Sequence, residues 1–184
     1  EATEYGVEDF YPLTPAQQGI LFHALFAPNS GAYCQQFDYR IKGNLNVAAF
    51  KRAWQAVIDR HQTFRTAFLW NGLAEAVQVV FRRADVPIKE YDLRGLEPAA
   101  QHDELNRLLI EDRNTGLALS RPPLMRSALI NVADDEHHFV WTCHHLLLDG
   151  WSLPLLMKEV FSFYEALAEQ FGGATGGTAL RAIL

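Results

Sequence analysis

The segment from His137 to Gln170 predicts a strand, a tight turn and a long helix in direct succession. Residues 137–144 predict the strand, and Asp149-Gly150 suits a sharp turn after it. Leu153 to Gln170 then carries apolar residues at helical spacing. A chain with this run must form a sheet whose strand ends beside a turn and a packed helix. That arrangement brings polar side chains to the end of a buried strand.

Similar patterns predict the other elements. Thr14 suits a helix cap and Pro15 a first helical position, ahead of a helix over 16–27. Asn46 suits the cap of a second helix with apolar residues at helical spacing. We also predict a helix over 98–114 and strands over 36–41, 66–70, 74–81, 87–91 and 124–132. Because hairpins and helices are mixed along the chain, we expect an α/β fold with a mixed sheet and its helices on one face.

Composition narrows the class of protein. The 184 residues, of which 49% are hydrophobic, fit one domain or one lobe with a substantial core. The net charge of -6 and the lack of a basic stripe argue against a nucleic-acid partner. We find no signal peptide and no apolar run of membrane-spanning length, so we expect no membrane association and a cytoplasmic location. The two cysteines lack metal-site spacing, which argues against a disulfide framework or a zinc site.

The two ends of the chain have their own features. The sequence begins at Glu1, so we expect a piece of a longer protein. Residues 1–171 carry the predicted elements. Residues 172–184 begin with a Gly-rich run, and we expect them to form a flexible tail that is foreign to the domain.

The two histidines at the end of the strand at 137–144 should differ in role. Strand alternation places His145 on the face of Phe139 and Trp141, and His144 on the other face. Apolar surroundings would keep the His145 ring neutral, as a proton acceptor requires. We expect His144 to form a structural hydrogen bond. Because adjacent histidines point in opposite directions, we expect no shared metal and assign none.

Asp149 has two possible partners. It can orient His145 as a member of a catalytic set, or it can pair with an arginine and brace the loop. Arg60 and Arg65 flank a segment at a predicted helix-to-strand junction and are the candidates for this pair. We favour the bracing role.

Three segments resemble ordered motifs of one family. They are Leu13-Thr-Pro-Ala-Gln-Gln-Gly-Ile-Leu-Phe-His23, Arg60-His-Gln-Thr-Phe-Arg-Thr-Ala-Phe68 and Cys143-His-His-Leu-Leu-Leu-Asp-Gly-Trp-Ser152. Together they resemble the amino-terminal lobe of condensation domains of nonribosomal peptide synthetases, over about residues 8–170. Phe64 stands where the second motif usually has leucine. The motifs of the second lobe are absent.

The resemblance implies a two-layer α/β sandwich like that of chloramphenicol acetyltransferase, present here as one lobe only. In the family two lobes form a V, and carrier proteins deliver acyl groups on phosphopantetheine arms to the tunnel between them. The acceptor amine attacks the donor thioester and an amide forms. The implied partners are therefore peptidyl carrier proteins and the missing carboxy-terminal lobe. No covalently bound cofactor is implied.

The resemblance also implies roles for single residues. His145 is the candidate base or amine-positioning group, and His144, Asp149 and Gly150 shape the site, with Gly150 allowing close approach of the substrate. Arg60 and Arg65 are the candidate structural salt-bridge residues. The wording of the first and third motifs is similar to that of members that accept a D-configured donor.

Several alternatives stay open. The chain could be a carrier-docking module without catalysis, an epimerisation domain, or a coenzyme A-dependent acyltransferase of the same fold. We expect the isolated piece to be inactive, because half of a shared cleft cannot exclude water. We also expect self-association through the apolar face that the second lobe would cover.

Overall fold

The computed structural model describes residues 6–27, 31, 33–170 and 181–183. Its strands and helices, in chain order, are β1 (Val7–Pro12), α1 (Pro15–Phe26), β2 (Cys34–Lys42), α2 (Val47–Arg60), a short 3-10 helix (Gln62–Arg65), β3 (Thr66–Leu69), β4 (Val77–Phe81), β5 (Ile88–Asp92), α3 (Pro98–Asn114), β6 (Met125–Ala133), β7 (Glu136–His144), α4 (Ser152–Gln170) and β8 (Arg181–Ile183). The predicted elements are therefore confirmed, with ends that differ by a few residues.

A five-stranded sheet in the order β5-β6-β7-β2-β8 forms the centre of the fold. β5 runs parallel to β6, whereas the β6–β7, β7–β2 and β2–β8 pairs are antiparallel. The predicted α/β class with a mixed sheet is therefore confirmed. β7 lies between two strands of equal length, and all its residues from His137 to His144 are buried.

Helices α2 and α4 cover one face of this sheet. Phe139 of β7 contacts Phe50 edge to face at 5.0 Å and Trp54 at 5.3 Å, and Trp54 also lies 5.4 Å from Trp141. The Tyr164 hydroxyl of α4 accepts a hydrogen bond from the N–H of Asn46, the cap of α2, at 3.0 Å. Aromatic packing and this bond fix both helices relative to β7.

Helix α3 packs on the opposite face. Its Leu108 joins a small buried cluster with Leu93, Ile130 of β6 and Val140 of β7. Leu105 and Leu109 pack against the same cluster, as their spacing predicted. The expectation that all helices share one face is therefore wrong for α3. The reason is that β7 is apolar on both faces and needs cover on each.

A second, smaller sheet combines a predicted hairpin with β1, a strand that no sequence pattern indicated. β1, β4 and β3 form a three-stranded antiparallel sheet in that order. The β3–β4 hairpin was predicted, and Gly72 in its turn has φ +77°, a conformation that favours glycine. Arg65, only 6% exposed, ties β1 to this hairpin. Its guanidinium donates to the Glu8 carboxylate at 2.5 Å and to the Phe81 carbonyl.

Helix α1 begins as predicted and leaves much of its surface open. Thr14 and Gln17 form a reciprocal capping box at its start. Of its apolar positions Leu21 is buried, but Phe22 and Phe26 stack on each other at 6.0 Å with 63% and 81% exposure. Other large exposed apolar side chains include Phe10, Trp151 and Leu155.

The end of the chain is only partly described. The backbone of Arg181–Ile183 pairs with Arg40–Lys42 at the edge of the large sheet, which no sequence pattern indicated. The rest of the predicted flexible tail lies outside the described residues. None of the helices in the described ranges combines the length and hydrophobicity that a bilayer crossing demands.

Replacing Phe139 tests the central aromatic cluster. Phe139→Ala would empty a fully buried position between α2 and β7, so we expect the free energy of unfolding to fall by about 3–5 kcal/mol in urea denaturation. Phe26→Ala is the matched control, because the same atoms are removed from an exposed ring, and its effect should stay within about 0.5 kcal/mol. Equal losses in the two variants would contradict this account of the core.

Candidate active site

Strand β7 ends one residue too early for alternation to apply to both histidines. Its last residue is His144, and His145 lies in the following turn. The His144 N–H donates to the Leu124 carbonyl at 3.1 Å, and the His145 N–H donates to the Tyr33 carbonyl at 2.8 Å. Strand alternation therefore places His144 on the face opposite Phe139, as predicted, and α3 covers that face. Alternation does not determine the direction of His145.

The His144 ring is buried and held in one tautomer. Its Nδ1 accepts a hydrogen bond from the Leu146 N–H at 3.2 Å, which confirms the expected structural bond. In the neutral ring the proton therefore sits on Nε2. Burial, with the neighbouring His145 as a second cause, lowers the pKa of His144 to about 4, so this ring is neutral near pH 7.

The sequence predicts that the His145 ring is shielded from water, but in the structure the His144 ring is the more shielded of the two. The structure buries His144, whereas His145 is only half-buried. The reason is that β7 carries His144 into the sheet, and the turn takes His145 out of it. The assignment of His145 as the reacting group stays a prediction.

An aromatic row connects the histidines to α1. The Tyr33 ring centroid lies 6.5 Å from those of His144 and His145, and 6.3 Å from that of His23. Tyr33 has φ +65°, a strained conformation for a residue with a side chain. Sequence reasoning missed Tyr33, because no pattern marks such a backbone. His23 is the last residue of the first motif segment, and in the sequence this position was the only indication that it lies near the two histidines.

A groove of about 910 Å³ opens beside His144. Cys34 and Gln36 of β2 line it together with Thr142 and His144 of β7. The other lining residues come from the end of α1 and the residues after it, from the last turn of α3 and the segment after it, and from Trp70: Ala24, Leu25, Ala27, Gly31, Arg113, Asn114, Thr115, Gly116, Leu117, Ala118, Leu119 and Ser120. His145 does not line this groove, so the imidazole in its wall is that of His144.

Asp149 bonds the first residue of helix α4. Its Oδ1 accepts hydrogen bonds from the Ser152 N–H at 3.0 Å and from the Ser152 hydroxyl at 2.9 Å. The hydroxyl bond is the main cause of the lowered pKa of this exposed carboxylate. Neither His145 nor an arginine forms a hydrogen bond or an ion pair with it in the described part of the chain, so both predicted partners of Asp149 are wrong. A Cβ at Gly150 would meet no atom within 4 Å, and its expected role near substrate stays a prediction.

Both candidate arginines form ion pairs, but with other carboxylates. Arg60 pairs with Glu159 of α4 at 3.0 Å, and Glu159 also bonds the His61 ring at 2.6 Å. Arg65 pairs with Glu8 of β1. Both glutamates are distant in sequence, and no local pattern could have indicated them.

A hydroxyl connects the second motif segment to the loop after β7. The Thr63 hydroxyl donates to the Leu147 carbonyl at 2.7 Å. The segment therefore contacts this loop through Thr63, and not through the arginine–Asp149 pair that we predicted. Among the described residues, no group of three or more His, Cys, Asp or Glu side chains is placed to bind a metal ion.

Comparison with known proteins gives a consistent result. Residues 7–171 match the family model described as Condensation domain. A component of the linear gramicidin synthase of Brevibacillus parabrevis is 42% identical over 163 residues, which are 89% of this chain and 3% of that protein. A component of the surfactin synthase of Bacillus subtilis (strain 168) is 35% identical over 164 residues, or 89% of this chain and 13% of that protein.

Solved structures agree with the sequence relatives. The starter condensation domain of rhizomide synthetase superposes with a TM-score of 0.79 at 25% identity, covering 89% of this chain and 40% of that one. The first condensation domain of the calcium-dependent antibiotic synthetase, at 23% identity, has the same fold with a TM-score of 0.78 over 95% of this chain and 43% of that one. The chain thus spans less than half of each of these solved domains.

Removing the Thr63 hydroxyl tests the brace. In Thr63→Val the Leu147 carbonyl loses its partner, so we expect a loss of about 1–2 kcal/mol in the free energy of unfolding and faster amide hydrogen exchange around residues 145–151. Thr63→Ser keeps the hydroxyl and should keep slow exchange there. Fast exchange in both variants, or in neither, would show that this bond does not hold the loop.

The neutral state of His144 predicts a pH dependence of stability. The pKa of His144 is about 4 in the folded chain and near the ordinary value of 6.5 in the unfolded chain. Between pH 4 and pH 6.5 the unfolded chain therefore binds a proton at this ring, and the folded chain does not. The free energy of unfolding should therefore decrease as pH falls from 6.5 towards 4, with His144 contributing about 3 kcal/mol.

His144→Asn isolates this contribution, because its amide oxygen can still accept from the Leu146 N–H but does not titrate. Urea denaturation at several pH values should show a shallower decline for the variant than for the unsubstituted chain. Parallel curves would mean that His144 does not cause the decline.

Proposed function

The chain belongs to the condensation-domain family, and we propose that it supplies one lobe of an enzyme that forms amide bonds in nonribosomal peptide synthesis. In this proposal the donor is an aminoacyl or peptidyl thioester and the acceptor an aminoacyl group, each attached to a carrier protein. The observation that carries the proposal is the pair of imidazoles at the end of β7. One is locked neutral in the wall of a groove, and the other is half-buried in the adjoining turn.

The proposed reaction is an acyl transfer. The acceptor amine attacks the thioester carbonyl, a C–N bond forms, and the C–S bond breaks. The His145 ring receives the proton that the amine loses and passes it to the departing thiolate, so that protons and charge balance. His144, neutral and already hydrogen-bonded, holds the strand end in place and presents a face to the groove.

The cleft needs more protein than this lobe. Phe22 and Phe26 on α1 and Trp151 and Leu155 near the start of α4 are exposed apolar side chains. We propose that a second lobe covers part of this surface and closes the cleft, and that the isolated chain has no activity. We further propose self-association of the isolated chain through the same side chains and a cytoplasmic location.

We propose that the substrates carry their own reactive groups. Each arrives on the phosphopantetheine arm of a carrier protein, and the chain itself binds no cofactor covalently. The wording of the first and third motif segments further supports a D-configured donor. The relatives described above are gramicidin and surfactin synthases by name, which supports a role in antibiotic biosynthesis.

A carrier-docking module without catalysis is the second candidate. The exposed apolar side chains of α1 and α4 favour it, because such surfaces commonly bind other proteins. The two candidates differ in what His145 does. Docking does not require an imidazole at this position, whereas amide formation by the proposed route does.

Replacing His145 in the complete parent enzyme separates the candidates. We expect His145→Ala to lower the single-turnover rate of amide formation by about 10²–10⁴-fold, while the affinity for loaded carrier protein stays unchanged. His145→Asn can still hold an amine by a hydrogen bond but cannot take its proton. A large loss in the alanine variant with substantial activity in the asparagine variant would assign positioning rather than proton transfer.

The same single-turnover assay of amide formation provides the remaining controls. His137→Ala, which changes a histidine at the far end of β7, should leave the rate near normal. D-configured donors should react faster than their L-counterparts. Undiminished product with His145→Ala would remove the catalytic assignment, and carrier binding with no product from the unsubstituted enzyme would favour docking.

A further inference from the structure

Helix α3 ends beside the groove with two charged residues that have different surroundings. The Asp112 carboxylate accepts hydrogen bonds from Gln36 of β2 at 2.7 Å, from Arg126 of β6 at 2.5 Å, and from the Thr142 hydroxyl of β7. Its charge is balanced by Arg126, which also bonds the Asp112 and Gly116 carbonyls. Asp112 therefore fixes the end of α3 on the sheet.

Arg113 lies next to it and contacts a neutral group. Its Nη2 donates to Oε1 of Gln36 at 3.1 Å. The Gln36 amide cannot turn over, because its Nε2 already donates to Asp112 and to the Leu109 carbonyl at 3.0 Å. The carbonyl end of the amide must then face Arg113. The guanidinium is held at the groove by one neutral acceptor, and it has other N–H groups to donate.

No carboxylate neutralises Arg113 within the described ranges. Asp112 is paired with Arg126, and Glu111 is paired with Arg107 at 2.7 Å. The groove itself offers no counter-charge, because Arg113 is the one Arg, Lys, Asp or Glu among its described lining residues. Burial lowers the pKa of His144 and raises the pKa of the Cys34 thiol, so both are neutral. Among its described lining residues, the groove thus has one positive charge, and no carboxylate there neutralises it.

The position of this charge relative to the histidines follows from strand register. Cys34 faces His144 across the β2–β7 pair, and Gln36 faces Thr142. Two residues along a strand span about 7 Å, so the Cα atoms of the Gln36–Thr142 pair lie about that far from those of the Cys34–His144 pair. A carboxylate on the side chain of an aminoacyl group can reach across such a distance when the reacting carbonyl is near the end of β7.

We propose that Arg113 is a specificity-determining residue that favours an acyl substrate with a carboxylate, such as an aspartyl or glutamyl group. This inference rests on the proposed function, because it assumes that an aminoacyl group enters the groove. A guanidinium binds a carboxylate through two parallel hydrogen bonds, which an amide of the same shape cannot reproduce. The alternative is that Arg113 serves only as a favourable charge in the last turn of α3.

Binding of two matched probes tests the inference. The probes are stable amides of aminopantetheine with aspartate and with asparagine, which differ in one side-chain group and contain no phosphate. Titrated into the 184-residue chain at low salt, the aspartyl probe should bind about fivefold more tightly. The preference should disappear in Arg113→Gln, should persist in part in Arg113→Lys, and should weaken at high salt.

Arg121→Gln is the control, because Arg121 is an exposed arginine that comes directly after the lining residue Ser120 but does not line the groove. It should retain the full aspartyl preference, with a thermal unfolding midpoint like that of Arg113→Gln. Equal affinity for the two probes, a preference that survives in Arg113→Gln, or no binding of either probe would overturn the inference. Amide formation by the complete enzyme is measured separately, so normal turnover without an aspartyl preference would overturn this inference alone.

Discussion

The aromatic contact between β7 and α2 is the interaction on which the rest of the structure depends. Phe139 and Trp141 pack against Phe50 and Trp54 with none of these side chains exposed to solvent. This packing fixes the direction of β7, which is held over its full length by β2 and β6. Because the strand cannot shift without exposing these rings, the position of its last residue is determined by the core. The location of His144 is thus a consequence of packing some distance from it.

The elements that local patterns determine were predicted well. Thr14 and Asn46 cap α1 and α2 as expected, and α3 covers the predicted residues. Alternation also assigned the faces of β7 correctly, because Phe139 and Val140 do lie in different clusters. These features depend on residues a few positions apart, where helix and strand periods apply directly.

The errors concern long-range partners. Arg65 pairs with Glu8, 57 residues away, and His61 bonds Glu159, 98 residues away. No spacing rule connects such residues, so the pair with Asp149 was predicted from chemistry alone and was wrong. β1 was missed for a related reason: its side chains are exposed, so it lacks the alternation of a half-buried strand, and its partner β4 is distant in sequence. His145 was placed by alternation although the strand stops before it.

The locked state of His144 changes how the neighbouring imidazole can be studied. When two adjacent histidines both titrate, the protonation of one affects the pKa of the other. The measured pKa values then belong to the pair rather than to either ring. Here the Leu146 N–H occupies one nitrogen of His144, and burial disfavours a second proton on that ring. Above about pH 5 His144 is therefore uncharged, and it adds no proton step of its own near neutral pH. A protonation step that the complete enzyme shows near neutral pH therefore belongs to a group other than His144.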